Sequence, residues 1–149
     1  DVLQEHPQEP GTFVIMDVDC FKYVNDRYGH AVGDKVLQQF GQILQAHFRE
    51  GDIIGRIGGD EFVVFMRKTE NKEGAVARIE SLLRKMENLP FAEMNGENVT
   101  ISVGISFVPE QGTGYLDLYK NADIALYKTK QSGRDGFNVY QEETREEQK

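Results

Sequence analysis

The feature that most constrains the fold of this chain is a change in the spacing of its apolar residues near residue 33. Residues 13–16 (Phe-Val-Ile-Met) form an unbroken apolar run, which predicts a strand covered on both faces. From Gly33 onward, apolar residues recur at steps of three and four up to Phe48, which predicts an amphipathic helix that ends at Gly51. A strand followed by such a helix indicates a mixed α and β protein.

A pair of glycines separates the next two apolar runs. Residues 53–57 and 62–66 lie on either side of Gly58-Gly59, and this pattern predicts a tight hairpin. Residues 75–86 return to helical spacing, and Pro90 marks the end of that second helix.

The third quarter of the chain carries an alternating pattern. Apolar residues alternate with Thr, Ser and Gly over residues 99–107, which predicts a strand with period two. Asn95-Gly96 just upstream is a strong turn signal, so we expect residues 91–94 to form a strand that pairs with it.

The order of elements defines the expected fold class. Residues 118–126 predict a third helix and residues 137–140 a last strand. Strands and helices in this order predict an α/β fold, an α+β sandwich whose central, mostly antiparallel sheet is flanked by helices. We interpret residues 13–140 as one domain, residues 1–12 as a lead-in left from a truncated N-terminal part, and residues 141–149 as an acidic, frayed tail.

Charge and cysteine content limit the partners and the compartment. Seventeen Lys and Arg against 25 Asp and Glu give a net charge of −8, which argues against binding to the backbone of nucleic acid. The single cysteine, Cys20, cannot form an intrachain disulfide, and the apolar runs are too short to span a bilayer. We therefore expect a cytoplasmic domain, which a membrane sensor outside this chain could tether.

Acidic residues follow two of the predicted apolar segments. Asp17 and Asp19 come directly after the first strand, and Asp60-Glu61 follow the glycine pair. Taken alone, Asp17 and Asp19 are more typical of solvated loop acids than of a metal site. If the fold brings the two segments together, their carboxylates would suit a hard cation such as Mg²⁺.

These residues carry a resemblance to a known family. Residues 56–62 (Arg-Ile-Gly-Gly-Asp-Glu-Phe) resemble the signature loop of the GGDEF family, the diguanylate cyclases. The resemblance extends over roughly residues 13–140. Its other matching blocks are residues 17–22, Asn25-Asp26, Gly29-His30, Gly33-Asp34, Ala122-Asp123, Tyr127, Lys130 and residues 132–134.

The resemblance implies a fold, a reaction and a metal site. The fold would be similar to the palm of nucleotidyl cyclases, and the reaction would condense two GTP into cyclic di-GMP with release of two pyrophosphates. Two Mg²⁺ or Mn²⁺ ions per active site are implied, held by Asp17, the backbone carbonyl of Val18 and Asp60. Glu61 matches a further carboxylate, which is either a ligand of the second metal or the group that helps to deprotonate the attacking hydroxyl.

The resemblance also implies how the nucleotide is held. Backbone N–H groups of Phe21 and Lys22 and the side chains of Lys130 and Arg134 match the triphosphate cradle, although the two side chains taken alone suit solvated helix ends. Asn25 and Asp34 match the residues that bind guanine. Asp34 also suits the first turn of a helix.

A separate set of residues resembles the family's inhibitory site for cyclic di-GMP. Arg49 and Asp52 stand in register with the signature loop, and Arg78 is a weaker supporting candidate; the alternative for Arg49 and Asp52 is a helix end and a turn. Other expected partners are a second copy of the domain and an upstream sensory or regulatory domain. The alternative function is a catalytically silent module that binds GTP or cyclic di-GMP as a sensor. His6 and His47 are interpreted as surface residues.

Overall fold

A computed structural model describes residues 9–69 and 71–141 and places a five-stranded sheet at the centre of the fold. The strand order is β2-β3-β1-β4-β5, so the first strand of the chain is the central one. All neighbouring strands are antiparallel except β4 and β5, which confirms a mostly antiparallel sheet. The strands are β1 (Gly11–Val18), β2 (Ile53–Arg56), β3 (Glu61–Arg67), β4 (Ile101–Val108) and β5 (Gly136–Val139).

Helices cover both faces of this sheet. Alternate residues of β1 face opposite sides, and Val14 and Met16 pack in the larger core, whereas Phe13 and Ile15 pack in a smaller one. The helices are α1 (Phe21–Tyr28), α2 (His30–His47), α3 (Lys72–Glu87), the 3₁₀ helix Ala92–Met94 and α4 (Tyr115–Gln131). The larger core is completed by α1, α2, α3 and the 3₁₀ helix, and the smaller core by α4.

Helix α4 packs on β4 in direct backbone contact. A Cβ added at Gly104 would lie 2.1 Å from the carbonyl oxygen of Ala122 and 2.4 Å from the amide nitrogen of Leu126. Only glycine permits this approach. The Thr129 hydroxyl donates to the carbonyl of Val103 at 2.8 Å and fixes the same helix further along. The position of α4 relative to the sheet is thus set by backbone packing.

The structure corrects two of the predicted elements. Helix α1 was not predicted: Phe21, Val24 and Tyr28 do stand at helical spacing, but eight residues are too short a window for that period to be distinctive. The predicted strand at residues 91–94 is wrong: Ala92–Met94 is a 3₁₀ helix. The expected turn does form, since Gly96 N–H donates to the carbonyl of Phe91 at 3.0 Å. Both edges of β4 are already paired, with β1 and β5, so no edge remains for another strand.

The ends of the chain carry predictions that the structure does not test. Most of the lead-in (residues 1–8) and most of the acidic tail (residues 142–149) lie outside the described residues. His6 lies outside them as well. Among the described helices, none is both long enough and apolar enough to cross a membrane.

Candidate active site

The register of β1 against β3 brings the two acidic segments together. Asp17 lies directly opposite Glu61 in the antiparallel pair. The N–H of Val18 donates to the backbone carbonyl of Asp60 at 3.3 Å, so Asp60 also lies beside the end of β1. The fold therefore brings the two acidic segments together, which is the condition for the predicted carboxylate cluster.

Asp17 is a buried carboxylate with one paired and one unpaired oxygen. Its residue exposure is 7%, and Oδ2 accepts a hydrogen bond from Nζ of Lys130. Oδ1 is buried and has no hydrogen-bond partner among the described residues. Burial raises the pKa of Asp17, and the charges of Asp60 and Asp123 act in the same direction against the opposing effect of Lys130. An unpaired buried oxygen of this kind is suited to a cation.

Glu61 is held by a residue that the sequence did not single out. The hydroxyl of Tyr119 donates to Glu61 Oε1 at 2.5 Å. Burial raises the pKa of Glu61, with further contributions from the charges of Asp17 and Asp123, while the bond from Tyr119 opposes the rise. The same bond raises the pKa of Tyr119. The signal that could have found Tyr119 is its spacing of four residues from Asp123, on the same face of a helix.

Asp19 has a structural role, in contrast to Asp17. Its carboxylate accepts from Thr100 Oγ1 at 2.7 Å, from Ser102 Oγ at 2.6 Å and from the N–H of Asp135 at 3.0 Å. These bonds join the end of β1 to the start of β4 and to the segment before β5. Asp19 therefore anchors the strand end on which Asp17 and Val18 lie.

The loop between β2 and β3 has two exposed glycines that neither its backbone conformation nor its packing requires. Arg56 Nε donates to the carbonyls of Gly58 and Gly59 at 3.3 Å and 3.0 Å, so Arg56 has a structural role in the loop. Neither glycine has a positive φ, and a Cβ at either position would meet nothing within 4 Å. Glycine without a local requirement in the protein is typical of a backbone that a ligand approaches closely.

A cavity of about 300 Å³ opens between these strand ends and α4. Asp17, Glu61 and Asp123 give it three acids, and Lys130 gives it one cationic group. Across the described part of the chain, no three acidic, histidine or cysteine side chains are close enough to hold a metal ion by themselves. Mg²⁺ is commonly bound by one or two carboxylates together with phosphate oxygens, so these residues fit that cation with a nucleotide present.

The segments predicted to hold phosphate lie at two helix ends. Phe21 and Lys22 begin α1, whose N-cap Cys20 has a left-handed backbone (φ 56°) and makes no side-chain capping bond. The first N–H groups of a helix have no intrahelical acceptor, so they suit an anion. Lys130 lines the cavity, whereas Arg134 lies exposed just beyond α4 and is not part of the cavity lining.

The predicted guanine readers lie where α1 packs against α2. Asn25 is half-buried, and a Cβ at Gly33 would lie 1.9 Å from its Oδ1. Gly33 therefore leaves the space that the Asn25 side chain occupies. Asp34 is the next residue of α2 and is exposed, so its carboxylate is accessible to a ligand.

Arg49, Asp52 and Arg78 form a second group, which we call the arginine cluster. Asp52 Oδ2 accepts from the N–H of Arg49 at 3.0 Å, and Arg49 Nη2 lies 3.7 Å from Asp52 Oδ1. Arg49 Nη2 also donates to the carbonyl of Arg67 at 3.0 Å. Arg49 and Arg78 line one cavity of about 240 Å³, so the structure brings the helix-end and the α3 arginine together.

His47 is not the surface residue that the sequence predicted. It is half-buried, and its Nε2 lies 2.9 Å from the carbonyl oxygen of Arg78, while Arg78 Nη1 donates to the carbonyl of His47 at 3.0 Å. Burial lowers the pKa of His47, and the charges of Lys85 and Arg78 add to this against the opposing effect of the Arg78 carbonyl. The contact joins α2 to α3, a tertiary pairing that helical spacing does not reveal.

Comparisons with known proteins identify the family of the chain. Residues 2–136 match the family model described as diguanylate cyclase, GGDEF domain. A probable diguanylate cyclase, DgcC of Escherichia coli, is 42% identical over 142 residues, which cover 93% of this chain and 37% of that protein. The chain spans less than half the length of the curated relatives it matches.

Solved structures are similar over nearly the whole chain. The GGDEF domain of YfiN (TpbB) from Pseudomonas aeruginosa superposes with a TM-score of 0.87 at 28% identity and covers 95% of this chain and 90% of that one. The active GGEEF domain of a diguanylate cyclase from Vibrio cholerae has a TM-score of 0.84 at 29% identity, with 93% and 88% covered.

Proposed function

Since the chain belongs to the GGDEF domain family of diguanylate cyclases, we propose that it condenses two GTP into cyclic di-GMP and releases two pyrophosphates. The observation that carries this proposal is the register that sets Asp17 opposite Glu61, beside Asp60, at a cavity that Lys130 also lines. In this reaction the 3′-hydroxyl of one nucleotide attacks the α-phosphate of the other. The site therefore needs groups that lower the charge of the phosphates and accept the hydroxyl proton.

We propose that Asp17, the Val18 carbonyl and Asp60 hold two divalent cations, Mg²⁺ or Mn²⁺. When bound, these cations would supply Lewis-acid activation of the hydroxyl and neutralise developing charge. The unpaired, buried Oδ1 of Asp17 supports this assignment. Glu61 lies opposite Asp17 and serves either as a further ligand or as the acceptor of the hydroxyl proton.

The remaining groups bind and orient the nucleotide. The N–H groups that begin α1, from Phe21 and Lys22, would donate to phosphate oxygens, and Lys130 and Arg134 would add charge-assisted bonds from the far end of α4. Asn25 and Asp34 would read guanine, because a carboxylate accepts from its N1–H and its exocyclic amine. Adenine presents an acceptor at the equivalent ring nitrogen, so Asp34 would disfavour ATP.

We also propose how the domain assembles and how its product regulates it. Each domain would present one GTP, so catalysis would require a second copy in a two-fold arrangement. The arginine cluster would bind cyclic di-GMP and inhibit synthesis, since an Arg can bond guanine O6 and N7 while an Asp accepts from its amine. We place the domain in the cytoplasm, under an upstream sensory or regulatory domain.

The test is incubation of the protein with GTP and Mg²⁺, followed by mass analysis of the products. We expect cyclic di-GMP and pyrophosphate, little consumption of ATP, and a rate per molecule that falls on dilution. Tight binding of GTP or cyclic di-GMP with no product would instead identify a silent sensor module. Comparable consumption of ATP would contradict the role of Asp34.

A further inference from the structure

Tyr119 reaches from α4 to Glu61, the carboxylate whose role the proposed function leaves open. We propose that Tyr119 is a positioning residue that fixes Glu61 as a ligand of the divalent cation. This inference rests on the proposed function and deepens it. Its basis is a single hydrogen bond at 2.5 Å that connects the helix bearing Lys130 to the strand bearing Glu61.

The ring of Tyr119 is held so that its hydroxyl has little freedom. It packs against the smaller core beneath α4, and its centroid lies 5.8 Å from that of the Tyr115 ring, one helical turn earlier. Helix α4 is itself seated on β4 through the close contact at Gly104. The hydroxyl is therefore presented to Glu61 by a rigid part of the molecule.

The bond makes the two oxygens of Glu61 unequal. Tyr119 uses one of the two lone pairs of Oε1, so Oε2 is the oxygen that this bond leaves fully available to the cavity. A glutamate side chain has several freely rotating bonds, and the negative charges of Asp17 and Asp123 nearby would favour rotamers that point away from them. The hydroxyl opposes that movement and keeps the carboxylate opposite Asp17. Partners that orient a carboxylate ligand in this way commonly contribute tenfold or more to metal affinity.

The experiment measures Mn²⁺ affinity by electron paramagnetic resonance in the presence of α,β-methylene-GTP, which cannot be condensed. We expect Tyr119→Phe to weaken Mn²⁺ binding about tenfold, because the change removes only the hydroxyl and keeps the ring. Tyr115→Phe is the matched control, since Tyr115 lies on the same helix and touches the same ring without contacting Glu61. The control should retain the parental affinity.

A double-mutant cycle with Glu61→Gln separates positioning from a general effect on the fold. If Tyr119 acts through Glu61, Tyr119→Phe has no further effect on Mn²⁺ affinity once Glu61 is Gln. An equal loss in both backgrounds, or parental affinity in Tyr119→Phe alone, would overturn the inference. The cycle uses differences between folded variants, and thermal unfolding of each variant confirms that it is folded.

The same data distinguish failure of the inference from failure of the proposed function. Weak binding by Glu61→Gln with parental binding by Tyr119→Phe overturns only the role of Tyr119. Parental Mn²⁺ affinity in Glu61→Gln shows that Glu61 is not a ligand, which overturns the inference and leaves Glu61 as the proton acceptor. Absence of any Mn²⁺ binding by the parental protein with the analogue would overturn both.

Discussion

The cavity around Asp17 and the arginine cluster are built in different ways. The cavity is positioned by strands whose register is fixed over seven consecutive residue pairs, from Gly11 with Arg67 to Asp17 with Glu61. The arginine cluster is assembled from the end of α2, the loop after it and one residue of α3, joined by side-chain bonds to backbone carbonyls. Strand pairing fixes the residues of the cavity, whereas the residues of the arginine cluster depend on how α2 and α3 pack.

The difference leads to different expectations for substitutions. Substitutions of the acids in the cavity should abolish catalysis and leave the fold intact, because the sheet, and not the carboxylates, fixes the positions of the site residues. Changes in the arginine cluster should alter ligand affinity and leave the initial rate of synthesis unchanged. Substitutions in each region test this contrast.

The largest effect is expected for Asp60→Asn, which removes a charge from the proposed cation site and keeps the shape of the side chain. Cyclic di-GMP synthesis should fall about 1000-fold, since bound metal contributes several kcal/mol to transition-state stabilisation and each 1.4 kcal/mol is a factor of ten. Glu80→Gln, an exposed change on α3, is the matched control and should keep the parental rate. Near-parental turnover by a folded Asp60→Asn protein would remove Asp60 from the site.

The second prediction compares the two acids at the end of β1 by their effect on the free energy of unfolding. Asp19→Ala should lower it by about 3 kcal/mol, because three donors lose their charged acceptor in a buried place. Asp17→Ala should lower it by less than about 1 kcal/mol, because Lys130 is partly exposed and returns to water while a desolvated carboxylate is removed. Urea unfolding measures both. Equal losses would show that Asp17 is also structural.

The third prediction concerns the arginine cluster. Arg49→Ala should weaken cyclic di-GMP binding by roughly 5- to 160-fold, through loss of a bidentate contact worth about 1–3 kcal/mol, and should relieve product inhibition while the initial rate persists. Calorimetry gives the affinity, and initial rates at increasing product give the inhibition. Arg84→Ala, an exposed change on α3, serves as the control. Unchanged product affinity in Arg49→Ala would return Arg49 and Asp52 to the role of a helix end and a turn.

The smallest effect is expected from the contact between His47 and Arg78. Burial lowers the pKa of His47 below the value near 6.5 of an unfolded histidine. At a pH between the folded and the unfolded pKa of His47, the unfolded chain binds more protons than the folded protein. The contribution of His47 to stability is therefore present above pH 6.5 and is lost as the pH falls below it. His47→Gln keeps a donor for the Arg78 carbonyl and should remove this dependence, which we expect to be below about 1 kcal/mol because the ring is partly solvated. Unfolding measured between pH 5 and 7 provides the check.

Much of the fold followed from apolar spacing, and the exceptions have clear causes. The predictions at residues 13–16, 62–66 and 118–126 are confirmed because burial of those segments is strong enough to leave a continuous apolar run or a helical period. Helix α1 was not predicted because its eight residues are too few for their apolar spacing to be distinctive. The error at residues 91–94 came from a turn signal that describes only local geometry, whereas strand pairing depends on which edges of β4 are free.

The candidate site was predictable to a similar extent. Asp17 and Glu61 could be identified because each lies at a strand boundary, where an acid beside an apolar run stands out. The distinct roles of Asp17 and Asp19 could not, since the partners of Asp19 are about 80 or more positions away in the chain. Tyr119 was missed because an aromatic residue at helical spacing is typical of a core. Its spacing of four residues from Asp123 was a weaker signal of a role at the site.

The central place of β1 has a consequence for synthesis of the chain on the ribosome. One neighbour, β3, is made by residue 67, but the other, β4, begins at residue 101. At roughly 5–20 residues per second, the ribosome takes roughly 4–17 s to go from the last residue of β1 to the first residue of β4. During that time one edge of β1, whose residues 13–16 are all apolar, has no partner and can pair with another nascent chain. Translational pausing between residues 67 and 101 should therefore increase aggregation more than pausing after residue 108.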